Sequence, residues 1–331
     1  RFNYSNLYLR QKSTINSTLA VFDTLDSQKA IEKAFFETQC VHIKGFVGSG
    51  FSFRIAAAFQ KQQHTLLLVL DNAEQAAYYL NDFERLLSPE DVLYFPASYR
   101  QPYAQETTDN ANVLLRSEVL KKISAAKKPR IVVTYPQAVF EKIISQHTLK
   151  RITFKVIKNT TLSLSFINES LFEMNFERVD FVTSPGEFAV RGGIIDVFSF
   201  AYQHPYRIEF FDDTVERLCS FDVETQRSIS SFDSIELLPD TSNNDFTDKR
   251  KTILDFFPTQ SSFIFFNFDK TTDRLQTLYD KAIETFSTLQ ATTQYPPEIL
   301  FVNKEEWVRD SIGKSVLVLE RTDQLSIKEL I

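Results

Sequence analysis

The chain reads Gly45-Phe46-Val47-Gly48-Ser49-Gly50-Phe51-Ser52 between a short apolar run and a helical pattern. That is the spacing of a phosphate-binding loop, in which two glycines frame four residues and are followed by Lys and then Ser or Thr. The framing glycines, Gly45 and Gly50, and the closing Ser52 are present, with Gly48 between them. Phe51 stands where the Lys belongs. The Lys would bring charge to the β and γ phosphates, and a charge-assisted hydrogen bond is worth about 1.5–3 kcal/mol. Phenylalanine supplies no such bond, and its ring is expected to crowd the pocket. No acidic pair follows an apolar strand to hold Mg²⁺. Asp71, after Leu66–Leu70, comes nearest and reads as part of a helix start. The spacing therefore predicts a nucleotide-binding fold whose nucleotide site has been lost, with residual anion binding at the helix N-terminus left open.

The elements around this loop alternate. Ser27–Thr38 has helical spacing, with Asp26 or Ser27 able to cap it. Val41–Lys44 is strand-like and runs into Gly45, and Phe53–Gln63 carries a helical apolar stripe. Leu66–Leu70 is a continuous apolar run, as expected of a parallel strand buried on both faces. A helix from the Asn72 cap to Leu87, a strand at Val92–Phe95, a helix at Ala111–Ser124, a strand at Ile131–Tyr135 and a helix at Gln137–Ile144 follow. Strands alternating with helices predict βαβ units and a parallel sheet.

Composition narrows the function classes. The formal net charge is −6, which argues against an electrostatically driven nucleic-acid binder. The short basic runs Lys121-Lys122, Lys127-Lys128 and Asp248-Lys249-Arg250-Lys251 read as solvated faces. Hydrophobic residues make up 43% and charged residues 24%, ordinary for a globular protein. No apolar run approaches membrane-spanning length, and the N-terminus has no secretory pattern. Cys40 and Cys219 lie far apart in a chain with four His, so they are expected to be reduced cytoplasmic thiols and not zinc ligands.

Glycine is scarce. There are 7, where common usage would give about 23, so the few present mark positions where the backbone requires them. Besides Gly45, Gly48 and Gly50, a second cluster comprises Gly186, Gly192 and Gly193. It lies in a β-rich segment beginning at Arg151, with expected strands at Thr153–Ile157 and Thr161–Leu164 and a brief helix at Glu169–Asn175. Pro185-Gly186 predicts a turn, and Gly192-Gly193 a bulge or a close backbone approach. Tyr206–Phe211 alternates, so Tyr206, Ile208 and Phe210 share the core face and Arg207, Glu209 and Phe211 the other. An aromatic beside an arginine on a polar face has the composition of a protein-binding hot spot. Composition alone equally allows a Phe211 covered by a neighbouring loop and an Arg207 paired with Glu209 or an Asp.

Gly186–Phe198, with its Arg191-Gly192-Gly193 step, and Tyr206–Asp213 together resemble a motif shared by the excision-repair protein UvrB and the UvrB-like N-terminal module of bacterial transcription-repair coupling factors. The similarity is strongest from Val179 to Pro239. Phe51 departs from UvrB, an ATPase that needs the loop Lys. The stretch from Tyr94 to Asp109 looks too short for UvrB's DNA-clamping hairpin, and Phe221–Ser228 is similar to the coupling factors. The resemblance implies a degenerate P-loop NTPase-like α/β fold, built from residues 1–151 and 241–331, with a β-rich (α+β) module inserted at 152–240. The later part is expected to contribute helices at Asp248–Phe256 and Thr271–Thr288 and strands at Phe263–Phe266 and Val316–Leu319, after a hinge at Asp240–Asp245.

The resemblance further implies a non-catalytic adaptor that recruits UvrA through Arg191, Arg207 and Phe211. Glu187, Glu209 and Asp213 would be rim charges at most, and Asp196 is expected to hold local backbone. No cofactor is expected in this segment. ATP, Mg²⁺, RNA polymerase and double-stranded DNA would engage other domains of a longer parent, and the end at Ile331 reads as a boundary within it. The alternative is a nucleotide-dependent, UvrB-like enzyme.

Overall fold

Leu66–Val69, Ile131–Val133 and Phe263–Phe265 are apolar at consecutive positions, and every one of these side chains is buried. Side chains alternate across a strand, so such runs need cover on both faces. The computed structural model describes residues 19, 26–35, 40–44, 48–98, 103, 110–125, 128–200, 202–240, 250–289, 295–320 and 327–330. In it these runs are the centre of a seven-stranded sheet. Its strands are β1 (Cys40–Lys44), β2 (Thr65–Val69), β3 (Val92–Tyr94), β4 (Ile131–Thr134), β13 (Ser261–Phe265), β14 (Ser315–Glu320) and β15 (Ile327–Leu330), in the order β15-β1-β14-β13-β2-β4-β3. Six run parallel, and β15 is antiparallel to β1.

The late strands β13 and β14 lie between the early strands β1 and β2, so both parts of the chain build one sheet. Its helices are α1 (Asp26–Ala34), α2 (Gly50–Gln62), α3 (Ala73–Leu86), α4 (Asn110–Ser124), α5 (Pro136–Val139), α6 (Gln146–Ile152), α8 (Phe268–Thr288), α9 (Pro297–Leu300) and α10 (Lys304–Ser311). Ile31, Ile55, Phe59, Phe83, Leu275 and Trp307 from these helices join the strand residues in one buried cluster. Side chains cap the helices where the sequence offers them. The Asn72 carbonyl oxygen accepts from Gln75 N–H at 2.9 Å, and Asn267 accepts from Lys270 N–H at 2.8 Å.

A separate six-stranded sheet comprises β6 (Glu177–Arg178), β7 (Glu187–Arg191), β8 (Ile194–Val197), β9 (Tyr206–Phe211), β10 (Thr214–Phe221) and β11 (Ser228–Ser231). Consecutive strands from β7 to β11 pair antiparallel. One face packs Phe188, Ile195, Val197, Tyr206 and Ile208 against Ile167 and Leu171 of α7 (Leu164–Glu173). The same core takes in Val156 of β5 (Phe154–Ile157) and Ile235 and Leu237 of β12 (Ser234–Leu237), which form a two-stranded ladder.

Four expectations are corrected. Thr161–Leu164 is no strand: Thr161 makes an isolated bridge to Thr214, and the Ser163 hydroxyl caps α7 by accepting from Phe166 N–H at 3.2 Å. The helix expected at Gln137–Ile144 stops at Val139, because Glu141 and Ile143 bridge to Phe301 and Lys251. The helix expected at Asp248–Phe256 is a 3₁₀ turn at Ile253–Phe256, preceded by the bridging Lys251. Gly192-Gly193 is a two-residue hairpin turn, with Arg191 paired to Ile194, and not a bulge. Its close backbone approach is real: Gly193 O accepts from Phe210 N–H at 2.8 Å, and a Cβ on Gly193 would lie 3.1 Å from Phe210 O. Residues 241–245 of the expected hinge lie outside the described residues.

A buried ion pair joins the segment after α5 to α4 and, through Ser98 and Pro96, to the loop after β3. Glu141 accepts from Ser98 N–H at 2.8 Å and from its hydroxyl at 2.6 Å, and it faces Arg116 at 3.2 Å. Arg116 also donates to Pro96 O and Ala138 O. Burial pushes the Glu141 carboxyl up against the opposing pull of Arg116. Removing one partner strands the other charge. Arg116→Met is expected to lower stability by about 3–5 kcal/mol in urea unfolding, and adding Glu141→Gln should recover part of that loss.

Candidate functional site

The loop with phosphate-binding spacing leads into α2. Gly48 has φ +55°, a left-handed conformation suited to glycine, and Ser49 sits at the helix N-cap without a capping bond from its side chain. Gly45 lies outside the described residues, and a Cβ on Gly50 would meet nothing within 4 Å. Phe51 does not crowd a pocket. Its ring is buried in the core, in edge contact with Tyr79 at 5.4 Å, Phe83 at 6.4 Å and Phe266 at 5.0 Å. Ser52 is also buried, and its hydroxyl donates to the Asp82 carboxylate at 2.7 Å. The Ser49 hydroxyl is 2.8 Å from the Tyr78 hydroxyl. A nucleotide triphosphate with Mg²⁺ does not fit these residues. The position that should offer a cation is an aromatic turned inward, and the serine that should meet the metal is held by an anion.

The second glycine cluster positions a different site. On the face of the six-stranded sheet opposite Ile195 and Ile208, register places Ala189, Asp196, Arg207 and Cys219 in one row across four strands. Asp196 is 1% exposed. Its Oδ1 accepts from Arg207 Nε at 2.7 Å, and its Oδ2 from Arg207 Nη2 at 2.9 Å. The same Oδ2 pairs with Arg191 Nη2. One carboxylate thus holds two guanidiniums, and not the local backbone it was expected to hold. Two charges buried together need such geometry, because desolvation otherwise exceeds their attraction.

Further contacts fix each arginine. The Arg207 guanidinium lies 4.4 Å from the centroid of Phe221 and donates to Gln226 Oε1 at 3.1 Å. Gln226 has φ +59° and ends a turn in which the Asp222 carboxylate accepts from Thr225 N–H at 2.8 Å and from its hydroxyl at 2.7 Å. Those bonds hold the Asp222 carboxyl below the usual carboxylate range. The bond to Asp196 raises the Arg207 pKa further above its ordinary value, so the guanidinium is permanently charged. Arg191 donates to Asp180 O at 3.2 Å and faces the ring of Phe181 at 5.1 Å.

The structure therefore brings Arg191 and Arg207 to one carboxylate. Phe211 follows on the same face of β9 as Arg207 and Glu209 and is 70% exposed, so no loop among the described residues covers it. Arg207 pairs with Asp196, while Glu209 pairs with Arg217 at 3.0 Å. Glu187 is bonded within its own turn, accepting from Thr183 N–H at 2.7 Å and Ser184 N–H at 2.9 Å. Sequence reasoning missed Phe181 and Gln226, which lie in loops without periodicity. A signal existed in the strand alternation, which puts Asp196 on the face of Arg207. Cys219 is a buried free thiol. Among the described basic runs, Lys121 pairs with Glu236 at 2.7 Å and Lys128 with Asp91 at 2.6 Å. No group of His, Cys, Asp and Glu able to hold a metal occurs among the described residues, and no helix there is long and apolar enough to cross a membrane.

Residues 154–242 match the family model described as the UvrB interaction domain. The chain is 27% identical over 198 residues to the transcription-repair-coupling factor of Bacillus subtilis, covering 60% of this chain and 17% of that protein. It is 30% identical over 188 residues to the transcription-repair-coupling factor of Rickettsia bellii, covering 56% and 17%. The corresponding protein of Borreliella burgdorferi is 36% identical over 100 residues, 30% of this chain and 9% of that one. The chain thus resembles a UvrB-like module of the coupling factors and spans less than a fifth of the length of these relatives.

Two outcomes follow from the side-chain geometry. Asp196→Ala leaves two guanidiniums without their shared anion and should cost about 2–3 kcal/mol of stability in urea unfolding, less than a fully buried pair because Arg191 reaches solvent. Phe51→Lys places an ammonium among three aromatic rings. It should lower stability by about 3 kcal/mol or more without creating Mg-ATP affinity in calorimetry. Tight, Mg-dependent nucleotide binding by that variant would contradict the assignment of Phe51 to the core.

Proposed function

We propose that this chain is a non-catalytic adaptor module of a transcription-repair coupling factor, acting in transcription-coupled nucleotide excision repair. Its task is to recruit UvrA through the outer face of the six-stranded sheet. The observation that carries this reading is the cluster of Arg191, Asp196 and Arg207 beside the exposed Phe211, inside the segment that matches the UvrB interaction domain. We assign residues 152–240 to the partner-binding module and residues 1–151 and 241–331 to the α/β scaffold that carries it. In a longer parent, ATP hydrolysis, DNA translocation and contact with RNA polymerase would belong to other parts. The setting would be the cytoplasm.

The chemistry suits recognition of a protein surface. Arg presents a planar fork of donors that matches carboxylate geometry. Here the bonds to Asp196 orient each fork and lower the rotamer entropy that binding would otherwise cost. Phe211 offers a large apolar ring with two side-chain torsions to fix, beside charge, as hot spots do. The enzymatic alternative finds no support in the loop at Gly48–Ser52. There Phe51 packs the core and the Ser52 hydroxyl is bonded to Asp82.

The test is calorimetry of the 331-residue protein against purified UvrA. Arg207→Ala and Phe211→Ala should each weaken binding by tenfold or more, about 1.4 kcal/mol per decade. Phe211→Ala should leave the melting temperature unchanged, since its ring is exposed. Mg-ATP should bind neither the wild type nor Ser52→Ala. Wild-type affinity in both UvrA-site variants would refute the assignment.

A further inference from the structure

Phe181 is the second very exposed phenylalanine beside the arginine cluster, at 65% exposure. The backbone on both sides of it is pinned. Asp180 O accepts from Arg191 Nη1 at 3.2 Å, and Val182 is buried with Ala189 and Phe198 in a small cluster of its own. Thr183 and Ser184 donate their N–H groups to the Glu187 carboxylate. The turn closes at Gly186, whose φ is +92° and where a Cβ would lie a tight 3.2 Å from the Phe200 ring. A loop this constrained holds the ring out in water although Val182, the next residue, turns inward. An aromatic held outward before binding loses little conformational freedom when a partner covers it.

The ring also lies against the Arg191 guanidinium, 5.1 Å from Cζ to centroid. A partner group that engages Arg191 at this edge would lie next to Phe181. We propose that Phe181 is a further partner-contacting residue, an aromatic anchor against the guanidinium of Arg191. It inserts into an apolar pocket of the partner next to the acceptor that Arg191 engages. This rests on the reading that the same face binds UvrA, and it widens that face from the strands β7 to β9 to the loop before β7. Hot spots cluster, and an aromatic next to a desolvated guanidinium strengthens the charge it covers.

The experiment titrates purified UvrA into the 331-residue protein and its Phe181→Ala, Phe181→Tyr, Phe211→Ala, Arg191→Ala, Arg207→Ala and Phe181→Ala/Arg191→Ala variants. Phe181→Ala should weaken binding about tenfold at an unchanged melting temperature, Phe181→Tyr should bind like wild type, and Phe181→Ala should weaken Arg191→Ala by a similar factor. Wild-type affinity in Phe181→Ala, with Phe211→Ala weakened, would overturn this inference and leave the site reading standing. An effect that vanishes in the Arg191→Ala background would reduce Phe181 to a positioning residue and refute the direct contact. If Phe211→Ala, Arg191→Ala and Arg207→Ala all bind like wild type, the site reading falls and this inference falls with it.

Discussion

A carboxylate buried on a sheet face needs its charge answered in place, and Asp196 has that demand met by two arginines. The rest of the module follows from this constraint. Arg207 must lie directly across from Asp196, which fixes the register of β8 on β9. Arg191 must reach back from the far end of β7, which the tight Gly192-Gly193 turn permits by bringing Arg191 opposite Ile194. A one-residue slip of β8 would send Asp196 into the apolar core beside Ile208 and turn Ile195 and Val197 outward. The ion cluster therefore contributes specificity of pairing as much as stability.

The two glycine clusters have diverged in what they do. At the second cluster the backbone still requires glycine: Gly186 and Gly192 have positive φ, and Gly193 abuts Phe210 O. Among the described residues of the first, a Cβ on Gly48 or Gly50 would meet nothing within 4 Å, and the φ of Gly48 alone favours glycine. The loop keeps the outline of a phosphate site while Phe51 and Ser52 have been drawn into the fold, one by aromatic packing and the other by Asp82. Phe51, at the position where the spacing of a phosphate loop calls for Lys, packs against Tyr79, Phe83 and Phe266.

Much of this was legible in the sequence. Continuous apolar runs such as Leu66–Val69 marked parallel strands, and Asn72 marked a helix start. The alternation of Tyr206–Phe211 sorted core from surface without any partner in view. The misreadings share a cause. Thr161–Leu164 and Gln137–Ile144 are short segments whose state is set by neighbours, a serine cap in one case and bridges to Lys251 and Phe301 in the other. Asp196 alternated with apolar residues like any strand position, so its bonds to arginines 5 and 11 residues away were invisible without the fold. Phe181 and Gln226 sit in loops, where periodicity carries no information.

The most direct measurement is a hydrogen-exchange footprint of the 331-residue protein, alone and saturated with UvrA. The account predicts new protection in the turns that border the arginine cluster: residues 180–186, 191–193, 211–214 and 222–227. Residues 48–54, in the loop with phosphate-binding spacing and the start of α2, should exchange alike in both states. Protection confined to residues 48–54 or to α7, with the cluster's turns unchanged, would contradict it.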